Sequence, residues 1–401
     1  MQPRIAVLSF PGNNCEVESM RAIQRAGMEP VFCRWNGDIA VLESMDGYLI
    51  PGGFSYEDRG RAGMIPARDP VMDILRQQAS AGKPVIGICN GAQVLVESGL
   101  IPNASGLQMS LARNSNEGER VGGFLSEWVW ITPTCAKERC ATSDWEGPMH
   151  LPIAHGEGRF TTSDTTLWKT LMDNDQLAFC YCDAEGNVAP TGKENPNGSE
   201  FGAAGICNPA GNVVALMPHP ERSPHGQPYF DALKQWIDRT PRTPYSAPAN
   251  LSTTREIATQ SRPAAEIFID TIIVNNEERS VEQAAKRILS GLRLKQLKYI
   301  ALSNDDPTAV LSQLSIYNSN KEIAYIRRGD TMHRWNAQTK TEEATKTSPL
   351  SNGVPLVRFD GEERHSGVCY VCMDVTEAEL LRSDVQEVFG NPHASTLVRL
   401  S

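Results

Sequence analysis

A cysteine between two glycines is the residue of this sequence best suited to covalent chemistry. Cys89 lies in the stretch Gly-Ile-Cys-Asn-Gly at 87–91, after the apolar run 85–88 and before residues that predict a helix. This Gly-x-Cys-x-Gly pattern is typical of a nucleophile elbow, a sharp strand-to-helix turn that presents a reactive side chain. Because a helix N-terminus favours thiolate, the pattern predicts a nucleophilic Cys89. The alternative is a buried structural cysteine in a glycine-flanked turn.

A histidine and a glutamate two residues apart offer the groups that would activate such a cysteine. His219 and Glu221 lie in the stretch Met-Pro-His-Pro-Glu-Arg at 217–222. The flanking prolines favour an extended backbone, in which residues two apart point to the same side. A carboxylate beside an imidazole fixes its tautomer and stabilises the imidazolium. We therefore predict a Cys89-His219-Glu221 triad, against the alternative of a surface pair in a proline-rich turn.

Strand-like and helix-like segments alternate before the cysteine, and they predict the framework that positions it. The apolar runs and the predicted helices follow one another at 4–10, 16–25, 29–34, 46–50, 70–81 and 85–88. Such alternation is typical of an α/β fold with a doubly wound, mostly parallel sheet. In these sheets functional residues gather beyond the carboxyl ends of the strands. Gly52, Gly53 and Cys89 all follow strands, so we expect them at one edge.

Composition divides the chain into three parts. Residues 1–238 carry the alternating pattern and the predicted triad, and residues 239–263 are rich in proline, serine and threonine, which indicates a stiff linker. The strand-like and helix-like segments of residues 264–401 predict a smaller α+β domain of unknown role. In it Ser280 is predicted to start a helix, and Pro355 is predicted to restrict its strand to a sheet edge.

Charge and cysteine usage exclude several classes of function. The chain has 401 residues, a formal net charge of −10 and ten cysteines without a framework spacing. An acidic chain lacks the basic footprint of a nucleic-acid-binding protein. We see neither a secretory signal nor an apolar run long enough to span a membrane. The expectation is a cytoplasmic protein with reduced cysteines that binds neither nucleic acid nor membrane.

Four short blocks occur in order along the chain. They are Pro-Gly-Gly-Phe-Ser-Tyr at 51–56, the elbow at 87–91, Ile-Ala-His-Gly-Glu-Gly at 153–158, and the stretch at 217–222. Together they resemble the class I glutamine amidotransferases and, within that class, are most similar to the glutaminase subunits, called PurQ, of phosphoribosylformylglycinamidine synthase. The first and third blocks point to this subfamily, whereas the second and fourth are shared by the whole class.

The resemblance implies a role for each member of the triad. Cys89 would attack the side-chain amide of glutamine, and His219 would protonate the departing ammonia and then activate water. Glu221 would orient the imidazole of His219.

The resemblance also implies a pocket around the nucleophile. The oxyanion would be held by the backbone N–H groups of Gly53 and Asn90, and Gln93 would help to form the glutamine pocket.

The partners follow from the same resemblance. Ammonia would pass to a PurL-like synthase subunit, which converts formylglycinamide ribonucleotide to formylglycinamidine ribonucleotide in purine biosynthesis. A small PurS-like subunit is a further candidate partner. ATP and magnesium are expected on the synthase partner, and neither a cofactor nor a metal is expected on this chain.

The sequence departs from the family in one loop and leaves alternatives open. Residues 57–61 read Glu-Asp-Arg-Gly-Arg where the family usually has Gly-Asp-Tyr-Leu-Arg. The alternatives are a glutaminase that serves another acceptor, a cysteine hydrolase of the same fold, and a catalytically idle assembly domain. Asn90 follows the cysteine where peptidase-like relatives place histidine, which counts against the hydrolase.

Overall fold

The structure is a computed structural model that describes residues 2–115, 123–239, 244, 252–302, 306–361 and 364–401. It divides into two compact units, residues 1–251 and 252–401. Most of the predicted linker, 240–243 and 245–251, lies outside the described residues. Its predicted end at residue 263 is wrong, because Ala258–Gln260 is already a strand of the second unit's sheet.

The first unit alternates strands and helices up to residue 97 and is richer in strands after it. Its strands are β1 Arg4–Ser9, β2 Glu29–Arg34, β3 Gly47–Ile50, β4 Val85–Ile88, β5 Ser110–Arg113, β6 Leu125–Pro133, β7 Met149–His155, β8 Glu157–Thr161, β9 Leu177–Cys182, β10 Ala203–Cys207 and β11 Val213–Leu216. Its helices are α1 Glu16–Arg25, α2 Ile39–Glu43, α3 Met64–Ala67, α4 Val71–Ser80, α5 Asn90–Glu97, α6 Leu167–Asp173 and α7 Gln227–Arg239.

Nine of these strands form one mixed sheet in the order β2-β1-β3-β4-β11-β10-β9-β6-β7. The pairs from β2 to β11 are parallel, as predicted for a doubly wound sheet. The pairs from β11 to β7 are antiparallel, so only half of the sheet has the predicted parallel pairing. Strands β5 and β8 form a separate two-stranded sheet.

The centre of this sheet is buried on both faces. Ile5–Leu8 of β1, Val85 and Ile86 of β4 and the whole of β11 are 0% exposed. Parallel strands covered by helices on both faces need continuous apolar runs, which is the pattern that the sequence shows there. Because the side chains in the middle of these strands are packed in the core, reactive side chains are left to the segments that follow the strands.

The second unit is a nine-stranded sheet with helices, in agreement with the predicted α+β class. Its strands are β12 Ala258–Gln260, β13 Ala265–Thr271, β14 Arg293–Leu302, β15 Glu322–Arg328, β16 Thr331–Asn336, β17 Thr341–Ala344, β18 Val354–Asp360, β19 Ser366–Met373 and β20 Ser395–Leu400. Its helices are α8 Asn276–Lys286, α9 Thr308–Leu311, α10 Glu377–Leu380 and α11 Ser383–Phe389. The strand order is β12-β20-β18-β19-β14-β13-β15-β16-β17.

Two local predictions for the second unit are wrong. Strand β18, which contains Pro355, lies inside the sheet and pairs with both β19 and β20. Pairing with β20 starts only at Leu356, so the missing N–H of Pro355 interrupts no ladder on that side. Helix α8 starts at Asn276 rather than at Ser280, because the Asn275 side chain caps it by accepting from the Glu278 N–H at 3.1 Å.

Within the part of the chain that the structure describes, no helix combines the length and the apolar character that crossing a membrane requires.

Candidate active site

The predicted nucleophile elbow is present between β4 and α5. Cys89 joins the two elements with φ 52° and ψ −106°, a conformation that L-residues adopt only under constraint. The flanking glycines allow it: a Cβ at Gly91 would lie 2.0 Å from the carbonyl oxygen of Ile50, and one at Gly87 would lie 2.4 Å from that of Gly91. The turn therefore holds Cys89 between the end of β4 and the start of α5.

His219 and Glu221 are brought together at the end of β11. The Nδ1 atom of His219 lies 2.6 Å from the Glu221 Oε1 atom, and both side chains are buried. The backbone between them is a single 3₁₀ turn, Pro220–Arg222, and not the extended segment that the prolines suggested. The side chains still meet, because the backbone N–H of His219 is fixed by the Pro152 carbonyl at 2.9 Å and the turn folds Glu221 back.

Strand pairing brings the cysteine and the histidine to one edge. Strands β4 and β11 are parallel neighbours, and the Cys89 N–H donates to the Leu216 carbonyl at 2.8 Å. His219 follows β11 by three residues, so both side chains lie beyond the carboxyl ends of adjacent strands. The thiol of Cys89 also lies 3.7 Å from the Ala154 carbonyl of β7.

The imidazole of His219 is poised to carry a proton. Burial opposes its charge, but the charge of Glu221, then that of Cys89, and hydrogen bonds with Cys15 and Cys89 raise its pKa well above the usual value. The balance favours an imidazolium beside Cys89. An imidazolium stabilises the adjacent thiolate and can protonate a departing amine.

The Gly52-Gly53 segment lies against the histidine and is held by an asparagine that the sequence analysis missed. A Cβ at Gly52 would lie 2.7 Å from the His219 Cε1 atom, and Gly53 has φ 141°. The Asn13 side chain donates to the carbonyls of Pro51 and Gly52 at 3.2 and 3.3 Å. Asn13 follows β1 at the same edge of the sheet, and this position in the sequence could have indicated that it lies at the site. An oxyanion role for Gly53 stays a prediction.

Asn90 and Gln93 use their side chains to fasten loops to the elbow. The Asn90 Oδ1 atom accepts from the Ser55 N–H at 3.1 Å, and its Nδ2 atom donates to Gln93 Oε1 at 2.9 Å and Asp58 Oδ1 at 3.3 Å. Gln93 donates to the Glu157 carbonyl at 2.5 Å. The predicted oxyanion contact of Asn90 therefore concerns its backbone N–H. The predicted pocket role of Gln93 stays a prediction, with its amide engaged in this network.

The loop that departs from the family is strained and anchored. Tyr56, Glu57 and Asp58 have φ values of 53°, 58° and 52°, three consecutive non-glycine residues in the left-handed region. Arg61 holds the loop by a 2.5 Å ion pair with Glu97, at the end of α5. Burial, followed by the charge of the nearby Glu157, raises the pKa of Asp58 to about 7. No pattern in the sequence indicated this strain.

The third matching block places a neutral histidine near the triad. His155 is buried, and its Nδ1 atom lies 3.1 Å from the Asn114 Oδ1 atom. Burial and, next, the charge of His219 lower its pKa to about 3. A Cβ at Gly158 would lie 2.2 Å from the His155 ring, so that glycine gives the ring its space. A group held neutral at physiological pH is suited to shaping the site rather than to moving protons.

Comparison with known proteins places this site in a family. Residues 2–239 match the model of the CobB/CobQ-like glutamine amidotransferase domain. The PurQ subunit of phosphoribosylformylglycinamidine synthase from Methanothrix thermoacetophila is 42% identical over 257 residues, which are 59% of this chain and 98% of that protein. The PurQ subunit from Pyrococcus furiosus is 36% identical over 58% of this chain and 98% of its own.

A solved structure of PurLQS from Thermotoga maritima matches with a TM-score of 0.47 and 29% identity, covering 59% of this chain and all of the matched chain. The family model and the curated relatives cover the first unit, which contains the elbow and the His219-Glu221 pair. The chain therefore belongs to the CobB/CobQ-like glutamine amidotransferase family and, within it, to the PurQ subunits of phosphoribosylformylglycinamidine synthase.

Proposed function

We propose that this chain hydrolyses glutamine to glutamate and ammonia as the glutaminase subunit of phosphoribosylformylglycinamidine synthase. The observation that carries the proposal is the buried Cys89-His219-Glu221 arrangement at the ends of two paired strands, in a chain of the PurQ family. The departures in the loop 57–61 leave this arrangement intact.

The residues support a two-step mechanism. The Cys89 thiolate attacks the carboxamide carbon of glutamine, and the oxyanion that forms is held by the backbone N–H groups of Gly53 and Asn90. The imidazolium of His219 gives its proton to the leaving nitrogen, ammonia departs, and a thioester remains. Neutral His219 then takes a proton from water, hydroxide attacks the thioester, and glutamate leaves. Glu221 keeps the imidazole oriented through both steps.

Ammonia is proposed to pass to a PurL-like synthase subunit, where ATP and magnesium activate formylglycinamide ribonucleotide. The chain itself is proposed to need no cofactor, and its proposed compartment is the cytoplasm. A small PurS-like subunit is proposed as the third member of the assembly. The match to the Methanothrix subunit covers 98% of that protein but only 59% of this chain. We propose that the second unit, residues 252–401, provides a surface for assembly.

The test is ammonia release from glutamine by the purified chain, alone and with the synthase subunit, ATP, magnesium and formylglycinamide ribonucleotide. We expect hydrolysis to rise sharply only when partner and acceptor are both present. The same assay, run with and without an added PurS-like subunit, tests the third partner. A high rate of glutamine hydrolysis that does not change when partner and acceptor are added would contradict the assignment and favour a glutaminase that serves another acceptor.

The nucleophile is tested by Cys89→Ala, with Cys182→Ala as a matched control because Cys182 is also a buried free cysteine of the first unit. We expect ammonia release to vanish in the first variant and to persist in the second. Hydrolysis that survives in Cys89→Ala would favour another nucleophile.

A further inference from the structure

A second cysteine lies beside the catalytic pair, and the proposed mechanism gives it no task. Cys15, His219 and Glu221 each offer a ligand atom, and these atoms lie within 4.8 Å of one another. The three residues are 1%, 2% and 4% exposed. Cys15 lies before α1, and its side chain makes no capping bond to that helix. Its Sγ atom lies 3.2 Å from the Asn14 Oδ1 atom.

The space between these side chains is kept open by a glycine. A Cβ at Gly52 would lie 3.0 Å from the Cys15 Sγ atom and 2.7 Å from the His219 Cε1 atom. Any other residue at this position would push the thiol and the imidazole apart. The close approach of sulfur, nitrogen and carboxylate oxygen therefore depends on Gly52.

One oxygen of this cluster has no partner. The Oε1 atom of Glu221 lies 2.6 Å from His219, whereas its Oε2 atom is buried and has no hydrogen-bond partner among the described residues. An unpaired buried carboxylate oxygen is costly, and native structures usually satisfy it with a donor, a water molecule or a cation. This oxygen indicates, independently of the cysteine, that the cluster can accept a further ligand.

We propose that Cys15, His219 and Glu221 form a binding site for a thiophilic divalent cation, with Zn²⁺ as the best match, and that an ion there switches off glutamine hydrolysis. One sulfur, one imidazole nitrogen and one carboxylate oxygen are ligands that Zn²⁺ accepts, with a fourth position left for water. The thiolate disfavours Mg²⁺, which prefers oxygen ligands. The Cys15 thiol and the His219 imidazolium each release a proton to solvent when the ion binds.

The ligand atoms need only small movements to meet the ion. Zinc bonds of about 2.0–2.3 Å in a tetrahedron put ligand atoms roughly 3.3–3.8 Å apart. Atoms at the largest separation, 4.8 Å, need to close by about 1 Å, within the reach of rotamer adjustment. The His219 Nδ1 and Glu221 Oε1 atoms, 2.6 Å apart, instead have to separate. The Glu221 carboxylate can supply its unpaired Oε2 atom.

An ion at this place would interfere with both functions of the catalytic pair. A carboxylate bound to Zn²⁺ no longer orients the imidazole, and an imidazole bound to Zn²⁺ no longer carries a proton. Loss of activity on metal binding rests on the proposed function, whereas metal binding itself does not. The two are therefore measured separately.

The binding test uses Co²⁺ as a spectroscopic probe in the full chain carrying Cys89→Ala, so that the proposed nucleophile cannot supply the sulfur. We expect a thiolate-to-cobalt charge-transfer absorption that Zn²⁺ abolishes by displacement. Adding Cys15→Ala should remove the absorption and weaken Zn²⁺ binding at least about 100-fold, since outer-shell partners alone are worth 10- to 100-fold. Adding Cys182→Ala instead should change neither. Absorption that persists without Cys15 would overturn the proposal.

A second measurement needs no change at Cys15, in case that variant fails to fold. X-ray absorption at the zinc edge of the Zn²⁺-loaded Cys89→Ala chain should show one sulfur at about 2.3 Å together with nitrogen or oxygen ligands near 2.0–2.1 Å. A shell without sulfur, or with two sulfurs, would overturn the assignment of Cys15.

The regulatory part is tested by ammonia release in the presence of Zn²⁺, with each chain compared with its own metal-free rate. We expect Zn²⁺ to inhibit the unmodified chain, and Cys15→Ala to need at least about 100-fold more Zn²⁺ for half inhibition. Equal sensitivity of the two chains would show that inhibition runs through Cys89 and would contradict the switch, even if metal binding is confirmed. Absence of ammonia release without metal would count against the proposed function alone.

Discussion

The buried charge of His219 is the property on which the chemistry at the residue scale depends. A histidine removed from water ordinarily loses its proton, yet here the pKa is raised because Glu221 and Cys89 surround the ring with negative charge. Its Nδ1 atom lies 2.6 Å from the Glu221 Oε1 atom, so the other ring nitrogen, Nε2, is the one left for a reacting group. His219 is thus prepared for its proposed role as an acid before substrate arrives.

Replacement of Glu221 by glutamine should test this arrangement. Glutamine keeps the shape but removes the charge, so the pKa of His219 falls and the alkaline limb of the pH–rate profile moves to lower pH. Because general acid–base catalysis contributes about 10²- to 10⁴-fold, kcat should fall by a similar factor, with a smaller change in KM. Glu29→Gln, at a half-exposed site, is the control. An unmoved alkaline limb would contradict the role of Glu221.

Asp58 gives a second prediction, on stability. Folding raises its pKa from an ordinary value near 4 to about 7, so the folded state favours the protonated carboxyl. The stability that this protonated form contributes is therefore lost as the pH rises through 7. Asp58→Asn keeps an oxygen for the Asn90 amide and removes the repulsion with Glu157. We expect the variant to be more stable than the parent by on the order of 1–2 kcal/mol at pH 8 and by less at pH 5.

Urea unfolding at both pH values measures this difference, with Asp73→Asn as the control because Asp73 is an exposed aspartate of α4. A stability gain that is the same at pH 5 and pH 8 would show that the charge of Asp58 is not its cause.

At the scale of elements, the elbow depends on the close contact of β3, β4 and α5. Gly91→Ala would place a methyl group 2.0 Å from the Ile50 carbonyl oxygen, a backbone atom that cannot rotate away. We expect a loss of about 1–3 kcal/mol in the free energy of unfolding, together with a fall in activity as Cys89 is displaced. Gly291→Ala is the control, because the nearest atom to its Cβ would be 3.9 Å away. A Gly91→Ala chain with unchanged stability would contradict this account.

The sequence was most informative where one physical requirement dominates. The elbow could be predicted because a sharp turn needs glycines, and β4 and β11 because buried parallel strands need unbroken apolar runs. The interior place of Pro355 could not be predicted, since it depends on where β20 begins to pair. The left-handed run 56–58 was also missed, because its anchors, Glu97 through Arg61 and Asn90 through Asp58, are distant in sequence.

At the scale of the whole molecule, the first unit has a hydrophobic core of its own. The core cluster around the triad runs from Ile5 to Leu233 and includes no residue of the second unit among its buried members. The family model likewise ends at residue 239. Composition predicted boundaries at residues 238 and 264, whereas the structure divides between residues 251 and 252. The sequence did not predict a role for residues 252–401, since no motif in them indicates chemistry.

Removal of residues 252–401 should therefore leave a folded glutaminase unit. We expect chain 1–251 to keep the ammonia release that the full chain shows without partner, within about twofold, since additive behaviour is usual for separate units. Assembly with the synthase, measured by size-exclusion chromatography, should weaken if the second unit is an assembly surface. An insoluble 1–251 chain would contradict the independence of the first unit, and unchanged assembly would exclude the docking role.

The direct pairing of β4 with β11 has a consequence for how this fold can evolve. A backbone hydrogen bond from Cys89 to Leu216 joins the strand ends that carry the proposed nucleophile and the proposed base, although 126 positions lie between these two residues in the chain. The segment from the end of α5 to the start of β11 connects two strands, β4 and β11, that are neighbours in the sheet. Insertions and deletions in the parts of this segment that do not contact the elbow or His219 leave the distance between the reacting groups unchanged. Strand β7 is the exception, because its Pro152 carbonyl fixes the His219 N–H.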